Sequence, residues 1–153
     1  MKNDIVKMDA VALAQAIRGK RVSCAEVMAA TLDHLARLNP KVNAVINVRD
    51  RDSLMAEARS RDDDFARGNY RGVLHGFPQA IKDLELMKGL PTTMGSPLLR
   101  NFVAPADSIM VERMRNAGAV FIGRTNTPEF GLGSHTYNPV HGRTLNAYDQ
   151  TKS

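Results

Sequence analysis

The sequence has a single cysteine, Cys24, and no long run of apolar residues. One cysteine excludes an intrachain disulfide and a cluster of metal-bound thiolates. A helix that spans a bilayer needs roughly 18 to 20 apolar residues, and the polar start of the chain lacks the apolar core of a signal peptide. We therefore expect a cytoplasmic protein that does not enter a membrane, with Cys24 as a buried structural residue.

Motifs for nucleotide and metal binding are also missing. No phosphate-cradling Gly-x-x-x-x-Gly-Lys-Ser/Thr run occurs, and Thr136 stands where a dinucleotide fingerprint that begins at Gly131 needs its third glycine. The histidines form no His-Glu-x-x-His pair, and no Gly-x-Ser-x-Gly elbow is present. We expect neither a cofactor nor a metal ion. His75 and His141 each precede a glycine, which favours hydrogen-bonding roles in turns.

The chain carries 21 basic and 16 acidic side chains, for a net charge of +5. A basic surface attracts nucleic acid when its charges are clustered. Here arginines stand close to aspartates in residues 49–52 and 59–64, which indicates solvated helix surface. We expect no direct nucleic-acid partner. A non-catalytic basic interaction module remains the alternative from a different functional class.

The first part of the chain has helical periodicity. Asp9 can cap a first helix, and Gly19 can end it in the left-handed conformation. Ser23 and Glu26 have the spacing of a capping box for a second helix, which Asn39-Pro40 should stop. A third helix is expected from residue 53 to 67. Together with a short strand at 44–48, these helices form a predicted N-terminal scaffold, residues 1–72.

From residue 73 onward, short apolar runs alternate with loops rich in glycine, proline and asparagine. Residues 77–81 read as a strand, and 119–122 as a buried strand. Between them lies a helix over 107–117, with Ile109, Met110, Met114 and Ala117 as its apolar face. A helix between two strands is typical of an α/β fold. We predict that residues 73–153 form the first part of an α/β core.

Lys82 stands out because it follows an apolar strand that should run through or against the core. Burial disfavours the charged form of a lysine, and a neutral lysine can act as a base near neutral pH. A lysine that reaches solvent at the end of a strand is the simpler structural alternative. Strand alternation sends Asp83 to the opposite face, so Asp83 cannot simply neutralise Lys82.

The segment around Lys82 resembles the amidase signature family at its catalytic lysine. The resemblance is carried, in chain order, by residues 74–83 (LHGFPQAIKD), 91–96 (PTTMGS), Asp107-Ser108 with Val111, Gly118-Ala119, residues 123–130 (GRTNTPEF), Asn138-Pro139 and Asn146. Ala147 and Phe77 are mild departures from the pattern. The resemblance is strong from Leu74 to Ser153 and weak in the helical N-terminus.

This resemblance implies hydrolysis of a carboxylic amide by a serine, serine and lysine triad. Lys82 would be the general base, and Gly131 matches a position that lines the site. Neither triad serine is expected in this chain, because the glycine-serine run of the family would follow Ser153. The implied fold has N-terminal helices and then part of a mixed sheet flanked by helices.

The implied enzyme is therefore longer than this chain, which would be inactive without its C-terminal portion. Its substrate would be a small-molecule amide. An incomplete domain exposes apolar sheet, which favours aggregation or a homodimer. The alternative within the same family is the A-type subunit of a glutamyl-tRNA amidotransferase, which would work with partner subunits.

Overall fold

The computed structural model describes residues 2–153, with side chains from Asp4 onward. It is an α/β structure, as the sequence predicts. The helices and strands, in chain order, are α1 (Lys2–Ile5), α2 (Ala10–Arg18), α3 (Cys24–Val42), β1 (Val45–Ile46), α4 (Arg51–Ala66), β2 (Pro78–Lys82), α5 (Ile109–Asn116), β3 (Val120–Thr125), β4 (Tyr137–Asn138) and β5 (Gly142–Arg143). Short 3₁₀ helices cover Pro97–Leu99 and Glu129–Gly131.

The main sheet is mixed and has the strand order β1-β3-β2. Strand β1 is antiparallel to β3, with Val45 opposite Thr125. Strands β2 and β3 run in the same direction, because Val120 N donates to Phe77 O while Asp83 N donates to Thr125 O. A second sheet is the small antiparallel pair of β4 and β5. Within residues 2–153, no helix has both the length and the apolar character needed to cross a bilayer.

The chain divides into two compact units, each built from three stretches of sequence. The first comprises residues up to Arg37, Arg49–Gln79 and Arg113–Ile122. Its core contains Met28 from α3, Leu54 from α4 and Phe121 from β3, all with no exposed surface. The second unit comprises Leu38–Val48, Ala80–Glu112 and Gly123–Ser153, and it carries Lys82.

Cys24 and His75 are structural residues of the first unit. Cys24 is fully buried, as predicted, and burial raises the pKa of its thiol to about 12. Arg71 N donates to His75 Nδ1 at 3.2 Å, so the neutral ring carries its proton on Nε2, which donates to Arg61 O at 2.9 Å. The turn role predicted for His75 is confirmed.

Two predicted helix ends are wrong in detail. Gly19 has an ordinary φ of −82°, and Lys20 takes the left-handed conformation with φ 57°. Helix α3 continues through Pro40 to Val42, because proline has a helical φ and costs one hydrogen bond near a helix end. The residue after the helix, Asn43, has φ 52°, and its N donates to Asn39 O.

Helix α4 buries charged residues that the sequence pattern assigns to a solvated surface. Arg61 is 8% exposed and Asp64 is 9% exposed. Asp64 accepts hydrogen bonds from Arg67 and Arg71, at 2.9 and 2.8 Å, and Arg61 Nη1 lies 3.5 Å from it. The prediction is wrong here because these partners satisfy the charges in place of water.

The predicted apolar face of α5 is wrong for Ile109 and Met110, whereas Met114 and Ala117 are half-buried. Val111 is fully buried, whereas Ile109 is 70% exposed and Met110 is 45% exposed. A helix with apolar residues on two stripes can bury either one, and only the packing of the folded chain selects between them.

Candidate functional site

Residues at the end of β2 alternate between the two faces of the strand. Ile81 is 4% exposed and Asp83 is fully buried, whereas Lys82 between them is exposed. Among the described residues Lys82 takes the solvent-facing position, and its desolvation stays a prediction for the longer protein. Alternation places Ile81 and Asp83 on the covered face and Lys82 on the face that is open to solvent.

The side-chain amine of Lys82 makes one hydrogen bond among the described residues. Its Nζ lies 3.4 Å from the backbone oxygen of Asn126, in the loop that follows β3. No carboxylate of residues 4–153 lies within ion-pair distance of this amine. Asp83 indeed points away from it, as the alternation predicts.

Asp83 joins the end of β2 to the loop that contains Thr93. Thr93 donates to the Asp83 carboxylate from its backbone N, at 3.1 Å, and from its Oγ1, at 2.5 Å. The Nη2 of Arg124 lies 3.3 Å from Asp83 Oδ1. Three donors thus surround a carboxylate that has no contact with water, which is what a buried charge requires.

Arg124, in β3, holds the peptide that carries Lys82. It is fully buried, and its Nη2 donates to the backbone oxygens of Lys82 at 3.3 Å and Glu85 at 2.5 Å. Burial lowers the pKa of Arg124, and the neighbouring Asp83 opposes that shift. The backbone at Lys82 is therefore anchored from inside the unit while the side chain faces outward.

His141 lies at the outer end of the same network. Thr93 Oγ1 gives its proton to Asp83, so the 3.2 Å contact between Thr93 Oγ1 and His141 Nε2 requires a proton on Nε2. In the neutral ring this leaves the lone pair on Nδ1. Burial and, to a lesser degree, Arg100 lower the pKa of His141, while Asp83 acts against them.

Asn126 and Asn138 form a buried pair of side-chain amides beside Lys82. They are 5% and 6% exposed. Asn138 Nδ2 donates to Asn126 Oδ1 at 2.7 Å and to Thr127 O at 2.8 Å. Asn126 Nδ2 donates to Gly142 O and to Thr144 Oγ1. The pair connects the loop after β3 to the β4–β5 hairpin.

Gly131 lies in the turn after Pro128, with φ +75°. A Cβ at this position would lie 2.9 Å from Leu84 Cδ1, the movable end of a side chain, so the backbone angle is the main reason for a glycine here. A neighbouring cavity of about 330 Å³ is lined by residues from Pro128 to Pro139. The structure thus accounts for Gly131 as a turn glycine, and its role in binding substrate stays a prediction.

Sequence reasoning did not assign Asp83, Thr93, Arg124 or the two asparagines to the site. Thr93, Asn126 and Asn138 stand within the segments that carry the family resemblance. The resemblance therefore pointed to these positions but not to the contacts that they make. Asp83 and Arg124 stand within such segments too. The burial of Arg124 gave no signal, because an arginine in an apolar strand is not recognisable as buried until its acceptors are known.

Known proteins are similar to this chain over nearly all of its length. The family model described as "Amidase" matches residues 26–153. The A-type subunit of glutamyl-tRNA(Gln) amidotransferase from Acidothermus cellulolyticus is 39% identical over 150 residues, which are 98% of this chain and 30% of that protein. Indoleacetamide hydrolase from Bradyrhizobium diazoefficiens is 39% identical over 97% of this chain and 28% of its own length.

Solved structures show the same similarity. Native peptide amidase from Stenotrophomonas maltophilia superposes with a TM-score of 0.85 and 29% identity, over 95% of this chain and 31% of that one. The chain therefore spans about 30% of the length of the relatives that it matches.

Proposed function

The chain belongs to the amidase family, and we propose that it is the base-bearing N-terminal part of a longer enzyme that hydrolyses a carboxylic amide. The observation that carries this proposal is the match over residues 26–153, which includes Lys82 at the end of β2. Proteins of this family that match the chain include an indoleacetamide hydrolase and a peptide amidase. A small-molecule amide is accordingly the proposed substrate class.

In the proposed mechanism Lys82 is the general base. Its neutral amine takes a proton from a bridging serine, which takes the proton of the nucleophilic serine. The nucleophile attacks the amide carbon, the C–N bond breaks, and the proton passes to the leaving amine. Water then hydrolyses the resulting ester. Both serines are proposed to lie beyond Ser153, and neither Ser96 nor Ser153 is assigned to these roles.

The exposure of Lys82 sets a condition on this mechanism. A lysine acts as a base only when its amine is neutral, and desolvation is one general way to favour that form. The relatives are more than three times as long as the part that matches. We propose that the remainder of the longer protein covers the face of β2 on which Lys82 lies.

Replacement of Lys82 by methionine in the full-length protein tests the proposal. We expect turnover of amide substrates to fall by about 1,000-fold, because the nucleophile loses its base. Lys88→Met is the matched control, since Lys88 is exposed in the same unit. Circular dichroism and thermal unfolding would verify that both variants fold. Normal turnover by folded Lys82→Met would refute the assignment of the base.

The isolated 153-residue chain provides a second arm of this experiment. A fluorophosphonate probe reacts with activated serines, and we expect it to label the full-length protein but not the isolated chain. The reason is that a base without its nucleophile forms no acyl-enzyme. Stoichiometric labelling of a serine in the isolated chain would contradict the proposed division of the triad.

The second candidate is the A-type subunit of a glutamyl-tRNA amidotransferase, favoured by the 39% identity to that protein from A. cellulolyticus. Such a subunit would be isolated with partner subunits, and its activity would depend on tRNA. Purification of the full-length protein from its native source discriminates between the two. Amide hydrolysis without any partner favours the amidase.

A further inference from the structure

The carbonyl that contacts Lys82 belongs to a residue whose side chain is fully engaged. The backbone oxygen of Asn126 lies 3.4 Å from Lys82 Nζ, and its backbone N donates to Ala44 O at 3.0 Å. The side-chain Oδ1 accepts from Thr127 N at 3.0 Å and from Asn138 Nδ2 at 2.7 Å. Asn126 is therefore held through both its backbone and its side chain.

Asn138 completes this arrangement with no unused hydrogen-bonding capacity. Its Nδ2 donates twice, to Asn126 Oδ1 and Thr127 O. Its Oδ1 accepts twice, from the backbone N of Val140 at 2.9 Å and of His141 at 2.7 Å. An amide has two donors and two acceptor lone pairs, so the orientation of this side chain is determined by its surroundings.

Close packing restricts the pair further. A Cβ on Gly95 would lie 3.0 Å from Asn138 Cβ, which leaves no room for the asparagine to move toward that loop. A buried polar network with every member satisfied behaves as a rigid unit, because breaking any one bond leaves an unpaired polar group away from water. The position of the Asn126 carbonyl is thus set by side chains rather than by a flexible loop.

The carbonyl has a specific chemical consequence for the amine of Lys82. A carbonyl oxygen can only accept, so it must face an N–H of the amine and never its lone pair. In a neutral amine this contact directs one N–H toward Asn126 and leaves the lone pair pointing elsewhere. A base needs this orientation, because its lone pair must face the hydroxyl that gives up the proton.

We propose that the Asn126–Asn138 amide pair is a positioning device for Lys82, which fixes the carbonyl that orients the lysine amine. This inference rests on the proposed function where it assigns catalytic importance to that orientation. The contact itself is independent of activity. Neither asparagine touches the reacting atoms in this proposal, and both act through the Asn126 carbonyl.

Asn138→Asp removes the donor side of the Asn138 amide and leaves its acceptor side in place. It keeps an acceptor for Val140 N and His141 N, but it places an oxygen against two acceptors, Asn126 Oδ1 and Thr127 O. The matched control is Asn69→Asp, because Asn69 is exposed and lies in the other unit. Asn138→Ala serves as a second variant without a buried charge, in case the aspartate prevents folding.

The first measurement uses the 153-residue chain and needs no activity. Proton–nitrogen NMR of the lysine side chains at pH 5 and low temperature reports how fast each ammonium group exchanges protons with water. We expect exchange at Lys82 to be slower than at exposed Lys88 in the unaltered chain. In folded Asn138→Asp or Asn138→Ala it should become about threefold faster, because the hydrogen bond to the carbonyl is lost. Unchanged exchange at Lys82 in the folded variants would overturn the inference.

The second measurement uses the full-length protein. If the amide pair positions the base, Asn138→Ala should lower kcat by about tenfold while KM changes by less than about twofold. An altered Lys82 exchange rate with unaltered kcat would show that the contact exists but that Lys82 is not the base. That result would refute the proposed function and leave the positioning contact standing.

Discussion

Two glycines with nearly the same backbone angle differ in what surrounds them. Gly68 has φ +84° and Gly76 has φ +76°. No atom lies within 4 Å of a Cβ built on Gly68, whereas a Cβ on Gly76 would overlap with Cys24 Sγ. Gly76 thus provides both a left-handed turn and the space into which Cys24 packs.

Substitution of each glycine by alanine separates these two effects. We expect Gly68→Ala to lower the free energy of unfolding by about 1 kcal/mol, the cost of a left-handed backbone with a Cβ. Gly76→Ala should cost about 3 kcal/mol or more, because an overpacking clash adds to the same strain. Urea denaturation would measure both. Equal losses for the two variants would show that the contact with Cys24 does not constrain this turn.

His141 is the histidine whose environment makes stability depend on pH near neutrality. Its pKa is lowered from the ordinary value of 6.5, mainly by burial. The unfolded chain therefore binds a proton at this site more readily than the folded chain does. The corresponding stability is fully present above about pH 6.5 and is lost as the pH falls through the folded pKa.

His141→Gln tests this dependence, because glutamine can still donate to Thr93 Oγ1 but does not titrate. We expect the free energy of unfolding of the unaltered chain to decrease on acidification from about pH 7.5 to 5.5, and the decrease to be smaller in His141→Gln. His135→Gln is the control at an exposed histidine. Carboxylates with lowered pKa values, such as Asp64, change protonation well below about pH 5.5. They therefore do not contribute to the change in stability between about pH 7.5 and 5.5. A pH dependence that is identical in His141→Gln would contradict the expectation.

At the scale of elements, the start of α3 is stabilised from two directions. Ser23 Oγ accepts from Glu26 N at 3.0 Å, and Glu26 Oε2 accepts from Ser23 N at 2.8 Å, which is the capping box that the sequence predicts. Asp62, from α4, accepts from Cys24 N at 2.7 Å and from Ala25 N at 3.0 Å. A carboxylate from another helix thus satisfies two of the free N–H groups at the helix start.

Asp62→Ala measures this contact between helices. We expect it to lower the free energy of unfolding by about 1 to 2 kcal/mol, which is the usual range for loss of a helix cap. Asp63→Ala is the matched control, because Asp63 is the exposed neighbour, and its effect should stay within about 0.5 kcal/mol. Similar effects of the two substitutions would mean that the capping bonds add no net stability.

The elements were predictable to different degrees, and for identifiable reasons. Strands β2 and β3 and helices α2, α3 and α4 follow from local patterns of apolar residues and capping groups. The buried face of α5 did not, because Ile109 and Met110 are as apolar as Val111. The charged face of α4 was also misjudged, since Arg61 and Asp64 are buried with ion-pair partners that lie three to seven residues away along the chain.

At the scale of the whole molecule, each compact unit is assembled from stretches that are not adjacent in sequence. The unit that carries Lys82 joins residues near 40, near 90 and near 140. Asn43 Nδ2, for example, donates to His141 O at 2.7 Å across 98 positions. The predicted boundary after residue 72 marks a change in local composition, from helical periodicity to loops rich in glycine and proline. The division into domains at that point stays a prediction.

The sequence alone was sufficient for the α/β class, the amidase family and the position of Lys82 at the end of β2. These properties depend on short motifs and on periodicity, which neighbouring residues determine. The tertiary structure decided that Asp83 is buried and Lys82 exposed, and that Arg124, Thr93 and His141 surround Asp83. It also decided that Asn126 and Asn138 hold the carbonyl that faces Lys82. These contacts join residues from separate parts of the chain, and hydrogen bonds between buried polar groups form only when folding brings such residues together.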